Sequence, residues 1–142
     1  MKYLLDTNVV RELGKTNPHK NVADWLRTVN DADLSISALT VREITKGVEK
    51  LRAKKPDVAA KLDKAVKRIF DAFEGRIWPI DRKIAAVWGE ALAANEKHVD
   101  DAALAATALV QSLIVVTRNI RDFDGRGVKL VDPFRTVRKP RV

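Results

Sequence analysis

The sequence predicts an α/β fold: a parallel sheet of about five strands flanked by helices, with a helical hairpin projecting from it. Two observations carry that expectation. Short stretches of β-forming residues recur along the chain, and amphipathic segments of helical period fill the intervals between them. Strands separated by helices pair in parallel, and such sheets are covered on both faces. A third observation bounds the organisation. No repeat, linker or low-complexity run interrupts the 142 residues, and 46% hydrophobic content is enough for one conventional core.

The elements follow in order. Residues 2–5 form a short hydrophobic strand that ends at Asp6, and Leu34, Ser35, Ile36 and Ser37 alternate as a half-buried strand does. Residues 77–80, 113–117 and 128–131 have similar character. Helical spacing appears in Val22, Trp25, Leu26 and Val29, and again in Val41, Ile44, Val48 and Leu51. It returns in Val58, Leu62, Val66, Ile69, Phe70 and Phe73, and Pro56 separates these last two segments into an antiparallel hairpin. Asp81 can cap a helix carrying Ile84, Val87, Trp88, Ala91 and Leu92. A last long helix opens at Asp100 and Asp101 and runs to about Ser112. Its alanines at 102, 103, 105, 106 and 108 let it approach the sheet closely. The chain after Pro133 is expected to be poorly ordered, which leaves residues 1–134 as the domain and 135–142 as a basic tail.

The chain has no cysteine, which excludes disulfides, thiolate metal sites and cysteine nucleophiles, so that a metal must be held by oxygen or by the two histidines. A reducing cytoplasm fits this composition. The opening Met1 to Leu5 runs into Asp6 too soon for a signal peptide, and no stretch reaches the ~18 apolar residues of a membrane span. Lys and Arg outnumber Asp and Glu by 27 to 19, a formal charge of +8 that favours an anionic partner. The cations gather at residues 46–67 and at Arg135, Arg138, Lys139 and Arg141, where a polyanion such as nucleic acid would release counterions. Lysine-rich helix surfaces also serve solubility alone.

Four carboxylates fall at element edges. Asp6 ends the first strand, at the carboxyl edge where α/β proteins place their sites, and an aspartate there can equally cap the next short helix. Thr40 and Glu43 match a capping box after the second strand, yet Glu43 also leaves the same sheet edge as Asp6. Asp100 and Asp101 precede the alanine-rich helix, where the macrodipole favours acids. Asp122 follows a buried strand in a turn-forming segment. Separately each is ordinary. Together they deliver carboxylates to one end of one sheet, and such a cluster needs a cation to offset its repulsion. Hard oxygen donors select Mg²⁺ or Mn²⁺, which can activate water and neutralise a phosphodiester.

Asp100 and Asp101 are separated by about 100° around a helix. Asp101 leads to Leu104, Ala105, Ala108 and Leu109, an apolar stripe facing the sheet, while Asp100 leads to Thr107 and Gln111 on a more polar one. Asp101 is therefore expected to point towards Asp6 and Asp100 to serve as an N-cap. His19 and His98 each lack a second histidine at ligand spacing and receive no role. Trp25, Trp78 and Trp88 lie on apolar stripes and read as core.

Four motifs in order carry a resemblance: Tyr3-Leu4-Leu5-Asp6-Thr7-Asn8-Val9, Ser37-Ala38-Leu39-Thr40-Val41-Arg42-Glu43-Ile44, Asp101-Ala102-Ala103-Leu104-Ala105-Ala106-Thr107-Ala108 and Thr117-Arg118-Asn119-Ile120-Arg121-Asp122-Phe123. The chain resembles PIN-domain proteins over nearly its whole length, and VapC-type toxins in particular. The resemblance implies a three-layer sandwich and a metal-dependent endoribonuclease acting as the toxin of a VapBC-type toxin-antitoxin system. It implies Asp6, Glu43, Asp101 and Asp122 as catalytic acids holding Mg²⁺ or Mn²⁺, with Thr117 and Asn119 as supporting groups. It also implies an RNA substrate, a cognate antitoxin and a homodimer. Two readings compete. A basic nucleic-acid-binding domain or inactive PIN scaffold would leave the acids as caps, and an aspartate-phosphorylating protein would use Asp6 as nucleophile, although Asn8 stands where such a hydrolase has a second aspartate.

Overall fold

The computed structural model describes residues 1–135. The basic tail positions Arg138, Lys139 and Arg141 lie outside the described residues. Five short strands, β1 (Tyr3–Leu5), β2 (Leu34–Ser37), β3 (Ile77–Trp78), β4 (Ile114–Val116) and β5 (Leu130–Val131), form one parallel sheet in the order β3-β2-β1-β4-β5. Tyr3 pairs with Leu34 on one side and Ile114 on the other, so β1 is the centre of the sheet. β3 stops before Pro79, which has no N–H to donate.

Among the described residues there are six helices, α1 (Thr7–Leu13), α2 (Lys20–Thr28), α3 (Ala38–Lys54), α4 (Pro56–Ala72), α5 (Arg82–Ala94) and α6 (Val99–Gln111), with α5 packed against α6. Pro56 is the first residue of α4, where its missing N–H costs nothing, and only Lys55 separates the two arms of the predicted hairpin. Asp81 caps α5 as expected, its Oδ1 accepting the Ile84 N–H at 2.8 Å.

Strand alternation divides the core into two layers. Leu5 and Val116 point to the face covered by α1 to α4, among Val9, Val22, Trp25 and Ile44, whereas Leu4 and Val115 point to the α6 face with Leu104, Ala105, Ala108 and Phe123. The predicted stripe on α6 needs correction at two positions. Thr107 is fully buried, its hydroxyl donating to the Ala103 carbonyl at 2.9 Å, and Leu109 is 47% exposed. The helix is clasped between the sheet and α5, so its buried arc is wider than one stripe, and every residue from Ala102 to Ala108 is inaccessible.

Phe134, the residue after Pro133, is anchored to the body of the domain, whereas the tail from residue 136 on lies outside the described residues. Asn21 Nδ2 donates to the Phe134 carbonyl at 2.8 Å, the Phe134 ring meets His19 edge-on, and the Arg118 guanidinium lies over it at 4.2 Å. Among the described residues, no helix is long and apolar enough to cross a membrane.

Candidate functional site

Asp6 is the first residue past the carboxyl end of β1, and its own N–H still donates to the Val116 carbonyl at 2.9 Å. It is both the N-cap of α1 and a buried carboxylate, 5% exposed. Oδ1 accepts the Thr7 N–H at 2.8 Å, and Oδ2 accepts the Thr117 hydroxyl at 2.8 Å and Asn8 Nδ2 at 3.2 Å. Burial raises its pKa above the ordinary carboxylate value and the charge of Glu43 adds to this. The bonds from Thr117, the Thr7 N–H and Asn8 pull the other way without cancelling the rise.

Glu43 is not part of a capping box. α3 begins at the very end of β2, where Ser37 Oγ caps it by accepting the Leu39 N–H at 3.1 Å, so Thr40 is already inside the first turn and Glu43 lies beyond it. Freed from capping, the Glu43 side chain turns towards α1, and its Oε2 accepts the Thr7 hydroxyl at 2.7 Å.

The start of α6 corrects a second expectation. The N-cap is His98, in the left-handed region at φ 54°, and Asp100 sits inside the helix, where its Oδ2 pairs with Arg42 Nη2 of α3 at 2.6 Å. Asp101 faces inward as its stripe requires. Its pKa is pushed up to about 6, first by burial and then by the charges of Asp6 and Asp122, with His98 and Arg126 offsetting part of the rise.

Asp6, Glu43 and Asp101 line one cleft of about 130 Å³ at the carboxyl edge of the sheet, together with Asp100, Arg11 and Asn119. Asp122, in the 3₁₀ turn Ile120–Phe123, does not line that cleft. It borders an adjoining recess of about 490 Å³ between α5, α6 and this turn, and it meets the cleft through Asp101. Thr117 is buried beneath, and its Oγ1 accepts the Asn119 N–H at 2.9 Å while donating to Asp6.

One residue given no role in the sequence belongs here. His98 Nδ1 lies 3.8 Å from Asp101 Oδ2 and 3.8 Å from Asp122 Oδ1, and single donor atoms from the three side chains all fall within 4.8 Å of one another, a cluster able to hold a divalent cation. The available signal was the three-residue spacing from His98 to Asp101, which puts both on one side of a helix. A search for a second histidine passes over it.

The chain matches the PIN domain over residues 3–127. It is 34% identical over 137 residues to Toxin FitB of Neisseria gonorrhoeae, covering 92% of this chain and 97% of that protein. It is 28% identical to VapC ribonuclease Y4jK of Sinorhizobium fredii, over 92% of this chain and 96% of the relative. The fold superposes on the crystal structure of FitAcB from Neisseria gonorrhoeae with a TM-score of 0.83 and 31% identity, covering 94% and 99% of the two chains. A structure of FitAB bound to the IR36 DNA fragment gives 0.80 and 32%, covering 96% and 98%.

Proposed function

The chain belongs to the PIN-domain family and is homologous to VapC-type toxins, and from that premise we propose that it is a metal-dependent endoribonuclease, the toxin of a toxin-antitoxin pair. The observation that carries the reading is the cleft in which Asp6, Glu43 and Asp101 come from three different elements to one sheet edge, with Asp122 beside Asp101. Carboxylates whose pKa values are raised by burial and by one another's charge fit a cation of matching hardness, because the ion favours their ionised form and offsets their repulsion. Asp6, Glu43, Asp101 and Asp122 would hold Mg²⁺ or Mn²⁺. When bound, the ion would supply an activated water and charge neutralisation at a scissile phosphate.

The chain's own groups hold the donors in place. The Thr117 hydroxyl and the Thr7 N–H fix both oxygens of Asp6, and the Thr7 hydroxyl fixes Glu43, so a single threonine orients two carboxylates. Arg11 lines the cleft and is exposed, suited to a phosphate of the substrate strand. The formal charge of +8 supports a polyanionic substrate, and the relatives' names, a toxin and a ribonuclease, support RNA cleavage and an antitoxin partner. A homodimer is part of the same proposal.

The test is cleavage of total RNA by purified protein with Mg²⁺ or Mn²⁺, with EDTA and with Asp101→Asn. Cleavage fragments are expected only from the wild type with metal. Equal cleavage by Asp101→Asn, or an inert wild type with either ion, would overturn the proposal.

A further inference from the structure

We propose that His98 contributes an imidazole nitrogen to the metal centre, making the side of the site at Asp101 and Asp122 a mixed nitrogen and oxygen seat that prefers Mn²⁺ to Mg²⁺. The inference rests on the metal-dependent reading above and specifies which ion the site takes.

The geometry is the first support. Two donors each about 2.1 Å from a common ion lie up to about 4.2 Å apart. The two separations of 3.8 Å from His98 Nδ1 to Asp101 Oδ2 and Asp122 Oδ1 fall within that reach, and all three donors lie within 4.8 Å of one another, so small side-chain rotations would seat an ion. At 3.8 Å neither contact is a hydrogen bond, so Nδ1 is not committed to either carboxylate.

The backbone is the second support. His98 is one of two non-glycine residues at positive φ among the described residues, and it makes no side-chain capping bond to α6 although it occupies the N-cap. The ring is therefore not committed to the helix end, and it is about half exposed and so open to exchange with solvent ions. The chemistry then sets the preference. Carboxylate and water suit Mg²⁺, whereas imidazole binds first-row transition ions in preference to Mg²⁺, which is small and dehydrates reluctantly.

The variant is His98→Asn, because asparagine tolerates the left-handed conformation and removes the imidazole. The probes are Mn²⁺ and Mg²⁺ alone with the purified full chain. Wild-type protein loaded with Mn²⁺ should show ¹⁴N coupling in pulsed electron paramagnetic resonance, retained in His19→Gln and lost in His98→Asn. Mn²⁺ affinity should fall about tenfold or more in His98→Asn, with Mg²⁺ affinity changed by under about threefold. A wild type that binds Mn²⁺ and cleaves RNA without ¹⁴N coupling overturns this inference alone, as does an unchanged Mn²⁺ affinity in folded His98→Asn. A wild type that binds neither ion overturns the metal-dependent reading with it.

Discussion

The Thr117 hydroxyl at the end of β4 donates to Asp6 Oδ2 at the end of β1 at 2.8 Å, joining neighbouring strands through the carboxylate that the site is built around. Both side chains are buried, and Thr117 Oγ1 in turn accepts the Asn119 N–H. Thr117→Val keeps the shape and removes the oxygen. It should cost roughly 1.5–3 kcal/mol, the range for a bond to a charged group, with the larger loss at high pH where Asp6 is ionised. Because the lost bond lowers the Asp6 pKa, that pKa should rise further in the variant. Denaturation at two pH values and carboxyl ¹³C titration check both points.

Asp101 has an ordinary value of 3.8 and a folded value of about 6. The folded state therefore binds the proton more tightly, and metal-free stability falls as pH rises from about 4 to about 6, by roughly 3 kcal/mol at 1.36 kcal/mol per pH unit. The contribution is fully favourable below the unfolded pKa and absent above the folded one. Asp101→Asn should flatten this decline and be more stable than wild type at pH 7 in EDTA. Urea denaturation across pH 4 to 8 reads it, and a wild-type decline that persists in the variant would contradict the assignment. Added Mn²⁺ should stabilise the wild type and leave the variant nearly unchanged.

Arg42 and Asp100 join α3 to α6 at the rim of the cleft, which Asp100 lines, but both are about half exposed in their side chains. Water and salt screen such a pair, so either single substitution should cost under about 1 kcal/mol. Asp100→Asn is expected to keep RNA cleavage where Asp101→Asn loses it. A double-mutant cycle with Arg42→Ala at low and high salt measures the coupling, which should shrink with salt.

At Ala103, α6 has no room to grow. Ala103 is fully buried and lines neither the cleft nor the recess beside it. Ala103→Leu should destabilise by about 1–3 kcal/mol or more through overpacking, whereas Val58→Ala on the outside of α4, 52% exposed, should stay within about 0.5 kcal/mol. Thermal melts of the two variants should differ accordingly.

The exposed lysines of the hairpin, Lys46, Lys50, Lys54, Lys61 and Lys64 among them, offer a track for a polyanion. Filter binding of RNA by Asp101→Asn should weaken steeply with salt, and neutralising Lys50, Lys54 and Lys61 together should reduce the slope. A slope unchanged by that triple variant assigns these charges to solubility.

The periodic parts of this fold were legible because periodicity reports burial. The strands, the hairpin at Pro56, the Asp81 cap and the inward turn of Asp101 all follow from it. What sequence spacing does not report is where a helix starts relative to its strand. α3 starts one residue after β2, which moves the cap from Thr40 to Ser37 and releases Glu43. α6 starts at an αL histidine, which moves Asp100 into the helix. The same reason hid His98, whose partner Asp122 is far away in the chain and approaches only when the 3₁₀ turn folds back over α6. Leu109 is exposed and Thr107 buried because one stripe cannot describe a helix held on two sides.

The division of the core into two layers has a consequence for the order in which the protein is made. Glu43 comes from the layer of α1 to α4, Asp101 and Asp122 come from the other, and Asp6 sits on the strand between them. A ribosome delivers Asp6, Glu43, Asp101 and Asp122 in that order, so no nascent chain that stops short of Asp122 holds the full set of carboxylates. If the four acids act together as proposed, a growing chain is inert until Asp122 has been added, and a message broken anywhere ahead of its codon yields a product that lacks one of the acids.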